Sequence, residues 1–417
     1  MSVFMKVLFL TCQIPNPYSG GSIRPFYLIK NLSQKHGYDI YIVSFVTDSE
    51  EDYIDKIKDY CKKVVLFPLK QENNARTIIR TLRNALSLTD VIFKLTSKNG
   101  VFDPSYYSRG YIQKMIDKFI EQHKLDAIYS DAAMAGYVAN SSLPKIVEPL
   151  DINFKNWLWY SFQKRRVLSK LYWFIRFLQT FYRETRIYKK FDYCVVVTEK
   201  DKRNIERYLS NVVVIPNGVD IHYFKPMSTV SDYPSIVTAG MMSGQKNVEA
   251  VLYFYNEIYP KIKGSFPEIK FYIVGKDPHP KILELSKKDR SVIVTGFVED
   301  IRPYIARATV FICSHISGSG IKNQVLEAMA MGKPVVSTSI GALGIDAIPG
   351  EEIIIADEPL EFAKEVICLL ENPELRKKLG QKARKLVEAK YSWEGVAAEL
   401  DKLFKKLINK RVMKIKG

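Results

Sequence analysis

Thirteen short runs of β-branched and aromatic residues recur along the 417-residue chain, separated by segments whose apolar residues fall at helical spacing. In the first half the runs are Lys6–Cys12, Asp39–Phe45, Val64–Pro68, Ala127–Ser130, Ile146–Glu148, Tyr193–Thr198 and Val212–Pro216. In the second half they are Ser235–Ala239, Lys270–Val274, Val292–Thr295, Val310–Ser314, Val335–Thr338 and Glu352–Ile355. They are largely continuous apolar stretches rather than alternating ones, the mark of strands buried on both faces. Helical periods at Pro25–His36, Asn247–Ile258, Asp300–Ala306, Asn323–Met331 and Leu360–Glu371 lie between them. This order predicts an α/β chain with parallel sheets covered by helices. Turn residues concentrate at Pro216-Asn217-Gly218, Lys225-Pro226 and Asp232-Tyr233-Pro234, just ahead of a fresh strand. The expectation is two doubly wound domains, 1–222 and 223–390, facing a cleft, with 391–417 packing back on the first. Open α/β sheets bind ligands beyond the C-terminal ends of their strands, so the loops there are the candidate sites.

The first strand runs into Thr11-Cys12-Gln13-Ile14-Pro15-Asn16-Pro17-Tyr18-Ser19-Gly20-Gly21-Ser22, and the helix that follows carries Arg24. Gly20 and Gly21 let backbone N–H groups approach an anionic or hydroxylated ligand, and the helix N-terminus adds partial positive charge. An ordinary flexible β-α turn has the same composition. No G-K-[ST] follows and no G-x-G-x-x-G is present, so neither a P-loop nor a dinucleotide fingerprint is formed.

The richest stretch is Ser317 to Val336, with Ser317-Gly318-Ser319-Gly320-Ile321-Lys322 leaving a strand and a helix expected from near Gly320. Its free N–H groups suit a diphosphate, and Lys322 in the first turn opposes the helix dipole unless an anion is bound. Glu327 sits about two turns in, on an otherwise small and apolar helix. It suits both hydroxyls of a ribose, or it is a half-exposed surface charge. Lys246, just before a helix, is a second phosphate candidate or a solvated lysine. Asp151, at the end of Glu148-Pro149-Leu150-Asp151, reads as a base, as a binder of substrate hydroxyls, or as the N-cap of a helix from Ile152 to Trp159. No D-x-D triplet occurs, which argues against a metal-chelated donor.

The charge separates function classes further. Against 62 Lys+Arg stand 45 Asp+Glu, for a net +17, which calls for anionic partners. Residues 155–190 hold ten Lys/Arg, one acid (Glu184) and eleven aromatics. Such a segment suits an interfacial contact with an anionic membrane surface, or a helix pair with aromatic core faces and solvated basic ones. No nucleic-acid-binding motif accompanies the charge, so nucleic acid is not an expected partner. Five dispersed cysteines without C-x-x-C point away from disulfides and zinc and towards small buried residues in a reducing compartment. Val7–Leu10 is too short for a signal peptide, and no 18-residue uncharged apolar run exists. The expected location is cytoplasmic, peripheral on the inner face of the membrane.

Several motifs together resemble glycosyltransferase family 4. Glu327-Ala328-Met329-Ala330-Met331-Gly332-Lys333-Pro334-Val335-Val336-Ser337-Thr338 is similar to its nucleotide-sugar motif. Ile215-Pro216-Asn217-Gly218-Val219-Asp220 with Phe224 and Pro226, Gly296-Phe297-Val298 with Asp300, and Tyr391-Ser392-Trp393 follow the same pattern. Within the family the strings at Ser19–Arg24 and Gly320–Gly332 look most like those of exopolysaccharide-associated sugar transferases. The resemblance implies a GT-B fold of two Rossmann-like domains, with the acceptor in the first and a nucleotide diphosphate sugar in the second. It implies retention of configuration, no metal and no cofactor beyond the co-substrate. Glu327 would then bind the donor ribose, Gly320, Ile321 and Lys322 would flank diphosphate and sugar, and Gly296, Phe297 and Val298 would contact the base. Basic side chains and a helix N-terminus would stabilise the leaving diphosphate.

Three positions depart from the pattern. Met241 stands where an Arg is common, although Lys246 five residues on is kept. Ser319 replaces an acid eight residues before Glu327, and no cleft histidine is evident near Asp131 or Glu148–Asp151. Lys322 is expected to supply the missing charge, and Arg24 to reach the phosphate when the cleft closes, with Asp151 as the third catalytic candidate. The implied activity is transfer of a sugar from a UDP- or GDP-sugar to a glycan or lipid-linked acceptor in cell-surface polysaccharide or glycoconjugate synthesis. A catalytically silent GT-B assembly protein at the membrane, and a nucleotide-sugar epimerase, are the alternatives.

Overall fold

The computed structural model describes residues 4–18, 20–46, 53–68, 109–163, 167–230 and 232–416. Two compact units are formed, Met1–Ile215 with Ala397–Gly417, and Pro216–Val396. All thirteen expected strands are present, each within two residues of its expected span at either end.

Unit 1 is built on a seven-stranded parallel sheet: β1 Lys6–Thr11, β2 Asp39–Val46, β3 Lys63–Pro68, β4 Ala127–Asp131, β5 Lys145–Glu148, β6 Tyr193–Val196 and β7 Val212–Val214. The strand order is β3-β2-β1-β4-β5-β6-β7. In β1, third in that order, Val7, Leu8, Phe9 and Leu10 are fully buried, as a strand covered on both faces requires. The chain reverses direction through the sheet between β1 and β4, where Leu10 pairs with Ser130. That switch point brings the loop after Thr11 beside Asp131, the crevice where such sheets hold ligands. Helix α1, Ile23–His36, returns the chain to β2 and ends at Gly37, whose φ of 71° closes the helix in the left-handed region.

The closing helix, Trp393–Lys416, belongs to unit 1 from Ala397 onward. Phe404 is fully buried, with its ring 6.0 Å from that of Tyr38. The Tyr38 hydroxyl donates to Asp401 at 2.8 Å. Burying Phe404 alone stabilises this docking by about 2–3 kcal/mol.

The described residues of the basic-aromatic segment form two helices packed on each other, Phe154–Gln163 and Val167–Tyr182, the second continuing into a π-helical turn at Arg183–Ile187. One side is an aromatic core, with Trp157 stacked on Trp173 at 5.1 Å. The other is apolar yet exposed: Val167, Leu171, Phe174, Leu178 and Tyr182 recur every three or four residues along one helix face. Lys164, Arg165 and Arg166 lie outside the described residues, as does Ser19.

Unit 2 repeats the architecture with six parallel strands: β8 Ser235–Ala239, β9 Lys270–Val274, β10 Val292–Gly296, β11 Val310–Cys313, β12 Val335–Ser337 and β13 Ile354–Ile355. The order is β10-β9-β8-β11-β12-β13, so the switch point falls between β8 and β11. An aromatic cluster of Phe254, Tyr259, Phe271 and Phe362 fills one side of this sheet. No described helix is long and apolar enough to cross a membrane. The cysteines divide: Cys194 and Cys313 are buried, Cys12 and Cys61 partly so, and Cys368 is exposed, contrary to the expectation that all five are interior. Cys368 lies on the solvent side of the helix Pro359–Glu371, whose Val366, Leu369 and Leu370 face the core.

Candidate functional site

In unit 2 the loops after β8, β9 and β11 come together near the switch point, and glycines make the approaches possible. A side chain at Gly275 would bring its Cβ to 1.7 Å from the Gly240 carbonyl oxygen, so only glycine allows these backbones their approach. Gly240 itself holds φ 148°, with Gln324 against it. Met241, which follows, is exposed and offers no charge. Lys246 lies in the first turn of Gln245–Tyr253 rather than ahead of the helix, and its ammonium has no partner among the described residues.

The loop after β11 turns through Gly318 (φ 134°) and Gly320 (φ 69°). A Cβ at Gly318 would lie 3.4 Å from both the Lys246 side chain and Lys322 Nζ, so the two lysines converge on one glycine. Lys322 is not in the first turn of the helix, and the helix does not start near Gly320. Lys322 is the extended residue before the helix Asn323–Ala330, with φ −88° and ψ 101°. The left-handed turn at Gly320 delays the helix start. Lys322 Nζ donates to the carbonyls of Ser319 and Gly320, both at 3.0 Å, and this folds its charge over the loop. Ile321 is buried beneath.

His315, not singled out from the sequence, sits under the same loop. It is buried, with Nε2 2.9 Å from Asn247 Oδ1 and Nδ1 3.3 Å from Cys313 Sγ. Burial, followed by Lys322 and Lys246, lowers its pKa to about 4. The imidazole is therefore neutral at physiological pH and registers the positive field of both lysines. A lone histidine within a strand-end run carries no distinguishing spacing, so no sequence signal marked it.

Glu327 lies half-buried on Asn323–Ala330, four residues from the helix start. No described residue pairs with its carboxylate, and burial alone pushes its pKa up to about 7. An unpartnered carboxylate in a desolvated place is costly and suits a ligand that supplies hydroxyl donors. Gly296 ends β10 with φ 68°, Phe297 after it is 73% exposed, and Val298 is half-buried.

In unit 1 the candidates stand at the ends of β1, β4 and β5. Gly20 and Gly21 are exposed within a short turn, Gly20–Ser22, that leads into α1. Arg24, expected to reach a phosphate, is instead buried. It binds Glu148 through Nε at 2.8 Å and through Nη2 at 2.6 Å, and Nη2 also donates to the Ile215 carbonyl at 3.0 Å. Strand order, not spacing, brings these partners together across 124 residues. Glu148 also accepts from the Tyr129 hydroxyl. Asp131, at the end of β4, accepts from the backbone N–H of Cys12 and of Met134, while burial raises its pKa.

Asp151 is not the cap of the following helix. That helix starts at Phe154, and its first N–H groups, of Asn153 and Phe154, donate to Glu184 at 3.0 and 3.1 Å. Asp151 is partly exposed and lines a cavity of about 250 Å³ that also reaches Asp131 and Glu148.

A family model described as Glycosyltransferase Family 4 matches residues 18–223, and one described as Glycosyl transferases group 1 matches residues 233–372. An uncharacterized 44.6 kDa protein in the cps region of Klebsiella pneumoniae is 25% identical over 244 residues, 57% of this chain and 62% of that protein. The phosphatidyl-myo-inositol mannosyltransferase of Mycolicibacterium smegmatis is 26% identical over 220 residues, 50% of this chain and 56% of that protein. The match thus spans less than two thirds of either relative's length. The Anabaena protein HepE in complex with UDP is similar in structure, with a TM-score of 0.65 at 14% identity, covering 96% of this chain and 100% of that one.

Proposed function

Because the chain belongs to glycosyltransferase family 4 and has its GT-B fold, we propose that it transfers a sugar from a nucleotide diphosphate sugar to a glycan or lipid-linked acceptor. One observation carries this reading. The unpartnered carboxylate of Glu327 lies on the helix Asn323–Ala330, and Lys322 just before that helix and Lys246 in the first turn of Gln245–Tyr253 converge on Gly318 at the switch point. Each part matches one part of the donor. Glu327 accepts from the ribose hydroxyls. Lys246 and Lys322, with the N–H groups of the loop Ser319–Ile321, neutralise the diphosphate as it leaves. Gly296, Phe297 and Val298 receive the base, for which the exposed Phe297 ring offers a stacking face. The UDP bound by the structurally similar HepE favours a UDP-sugar within this class.

Unit 1 supplies the acceptor side in this proposal. Asp151 binds or deprotonates an acceptor hydroxyl in the cavity it lines together with Gly21 of the Gly20-Gly21 turn. Arg24 acts by holding the Glu148 side chain in place rather than by reaching a phosphate. Two lysines and a helix N-terminus provide the charge that a cation would otherwise bring, so the transfer is proposed to run without metal or cofactor, and with retention. The relative in a cps region favours surface polysaccharide or glycoconjugate synthesis. The exposed apolar stripe from Val167 to Tyr182, flanked by Lys170, Arg186, Lys189 and Lys190, favours a peripheral seat on the anionic inner face of the cell membrane.

The test is nucleotide release from a panel of UDP- and GDP-sugars, with mass spectrometry of the products. Steady release from one donor, lost in Glu327→Ala and Lys322→Ala, is the expected result. Donor binding without turnover across several acceptors would instead identify a silent member of the family, and isomerised sugar nucleotide would identify an epimerase.

A further inference from the structure

The histidine beneath the glycine-rich loop of unit 2 belongs to a chain of hydrogen bonds to which nothing above gives a role. The end of β11 reaches the helix Gln245–Tyr253 twice. The Ser314 hydroxyl donates to the Ala250 carbonyl at 2.9 Å, and the His315 ring meets Asn247 at 2.9 Å. The first contact is an anchor in the middle of the helix. The second reaches its first turn, next to Lys246. Asn247 passes that contact on, since its Nδ2 donates to the Met241 carbonyl at 2.8 Å. The same carbonyl accepts from the Gly244 N–H at 3.2 Å, which closes the turn Met241–Gly244 ahead of the helix.

The partners decide where the protons sit. The Met241 carbonyl can only accept, so the Asn247 amide turns Nδ2 to it and Oδ1 to His315. Oδ1 in turn can only accept, so Nε2 carries the imidazole proton. Nδ1 is then a bare acceptor, 3.3 Å from Cys313 Sγ. Burial pushes that thiol up to about 11, so it keeps the proton it donates. Every member is matched with the ring uncharged, and the other tautomer would break the chain at both ends. A lysine or arginine in its place would give Asn247 an N–H but bury a third cation near Lys246 and Lys322, whose field already opposes charge on this ring. The backbone of His315 is fixed as well, because the Thr338 hydroxyl, just after β12, donates to its carbonyl at 2.6 Å.

We propose that His315 is a positioning residue for the diphosphate: as the neutral Nε2–H tautomer it orients the Asn247 amide, which holds the Met241–Gly244 turn and so sets where Lys246 stands beside Gly318. The inference rests on the donor reading for the word diphosphate, but the hydrogen-bond chain does not. From Gly240 to Asn247 the sequence offers one cation, Lys246, so its placement decides how this loop meets an anion.

The test has two arms on the full chain. Long-range proton–nitrogen NMR reads the imidazoles, with the His315 signals assigned by their loss in His315→Gln. They should show a protonated Nε2, a bare Nδ1 and no titration between about pH 5 and 8. Titration calorimetry with UDP, GDP, uridine and guanosine reads the positioning. His315→Leu should weaken binding of the nucleoside diphosphate about tenfold and leave nucleoside binding within about twofold. His315→Gln, which keeps an N–H donor, should recover most of that loss. Asn247→Ala should repeat the effect of His315→Leu, and the double variant should lose little more than either alone, because both break one chain. An Nδ1–H tautomer, or titration near the ordinary value of about 6.5, overturns the proposal. So does parental diphosphate affinity in His315→Leu, or a Gln variant no better than the Leu one. Should His315→Leu not fold, Asn247→Ala decides alone, and parental affinity there overturns the proposal. A parent that binds neither diphosphate removes the donor reading and this inference with it. Diphosphate binding without sugar transfer sinks the transferase reading and leaves this one standing.

Discussion

Replacing Glu327 with Gln should stabilise the protein at neutral pH while destroying its hold on the donor. The carboxyl pKa rises from 4.5 to about 7 in the fold, and desolvation is the sole cause. The folded state therefore binds the proton more tightly than the unfolded chain. Stability is highest below the unfolded pKa, falls as pH rises from about 4.5 to 7, and is level above that. A shift of this size corresponds to at most about 3 kcal/mol lost across the window. Glu327→Gln keeps the shape and removes the titration, so its melting temperature should match the parent's near pH 4.5 and exceed it at pH 8. For a unit the size of Pro216–Val396 that is a gain of several degrees. Calorimetry of nucleotide binding at pH 8 should show affinity reduced ~10–100-fold, since hydrogen bonds to a charged acceptor contribute about 1.5–3 kcal/mol each. Differential scanning calorimetry at the two pH values reads the first effect and titration calorimetry the second. A variant less stable than the parent at pH 8, or one that binds nucleotide equally well, would refute the reasoning that function keeps an unpartnered carboxylate there.

Three further outcomes follow from the same geometry. Lys246→Ala and Lys322→Ala should each weaken binding of the nucleoside diphosphate about 5–10-fold and flatten its salt dependence while leaving nucleoside binding nearly unchanged; titrations at two ionic strengths check this, and a loss that is equal for nucleoside and diphosphate would contradict it. Phe404→Ala should cost about 3–5 kcal/mol in urea denaturation, because the ring fills the seat of the closing helix against Tyr38. Replacing Leu171, Phe174 and Leu178 together with Ser should abolish sedimentation with anionic vesicles and leave the circular dichroism unchanged, since all three side chains are exposed; vesicle binding equal to the parent's would remove the membrane role from this face.

The strand pattern was almost fully legible, because continuous apolar runs of four to six residues flanked by turns can satisfy little else than a doubly covered parallel sheet. The glycine-rich loop before the helix Asn323–Ala330 was legible for a related reason. Glycines at 318 and 320 followed by an apolar helix with one acid are a local pattern, although Lys246, which also approaches Gly318, comes from a distant helix. The exception within it was the helix start: the left-handed turn at Gly320 moves the first helical residue to Asn323 and takes Lys322 out of the helix. Asp151 shows the opposite case. Its position ahead of an aromatic helix invites an N-cap assignment, yet Glu184, thirty-three residues away, takes the two free N–H groups instead.

The order of short apolar strands and helices determined by itself that the chain is an α/β protein with two parallel sheets, because hydrophobic periodicity is a property of a few consecutive residues and survives any arrangement of the rest. Partnership was decided only in three dimensions. Arg24 meets Glu148, Glu184 caps a helix begun thirty residues earlier, Lys246 and Lys322 converge on Gly318, and His315 lies beneath them. These pairings depend on which strands lie side by side, β1 next to β4 and β8 next to β11, and on the crossovers that bring their ends together. No spacing along the chain encodes that order. The electrostatics that turn a glycine-rich loop into a candidate diphosphate site arise only when the sheet has set its neighbours.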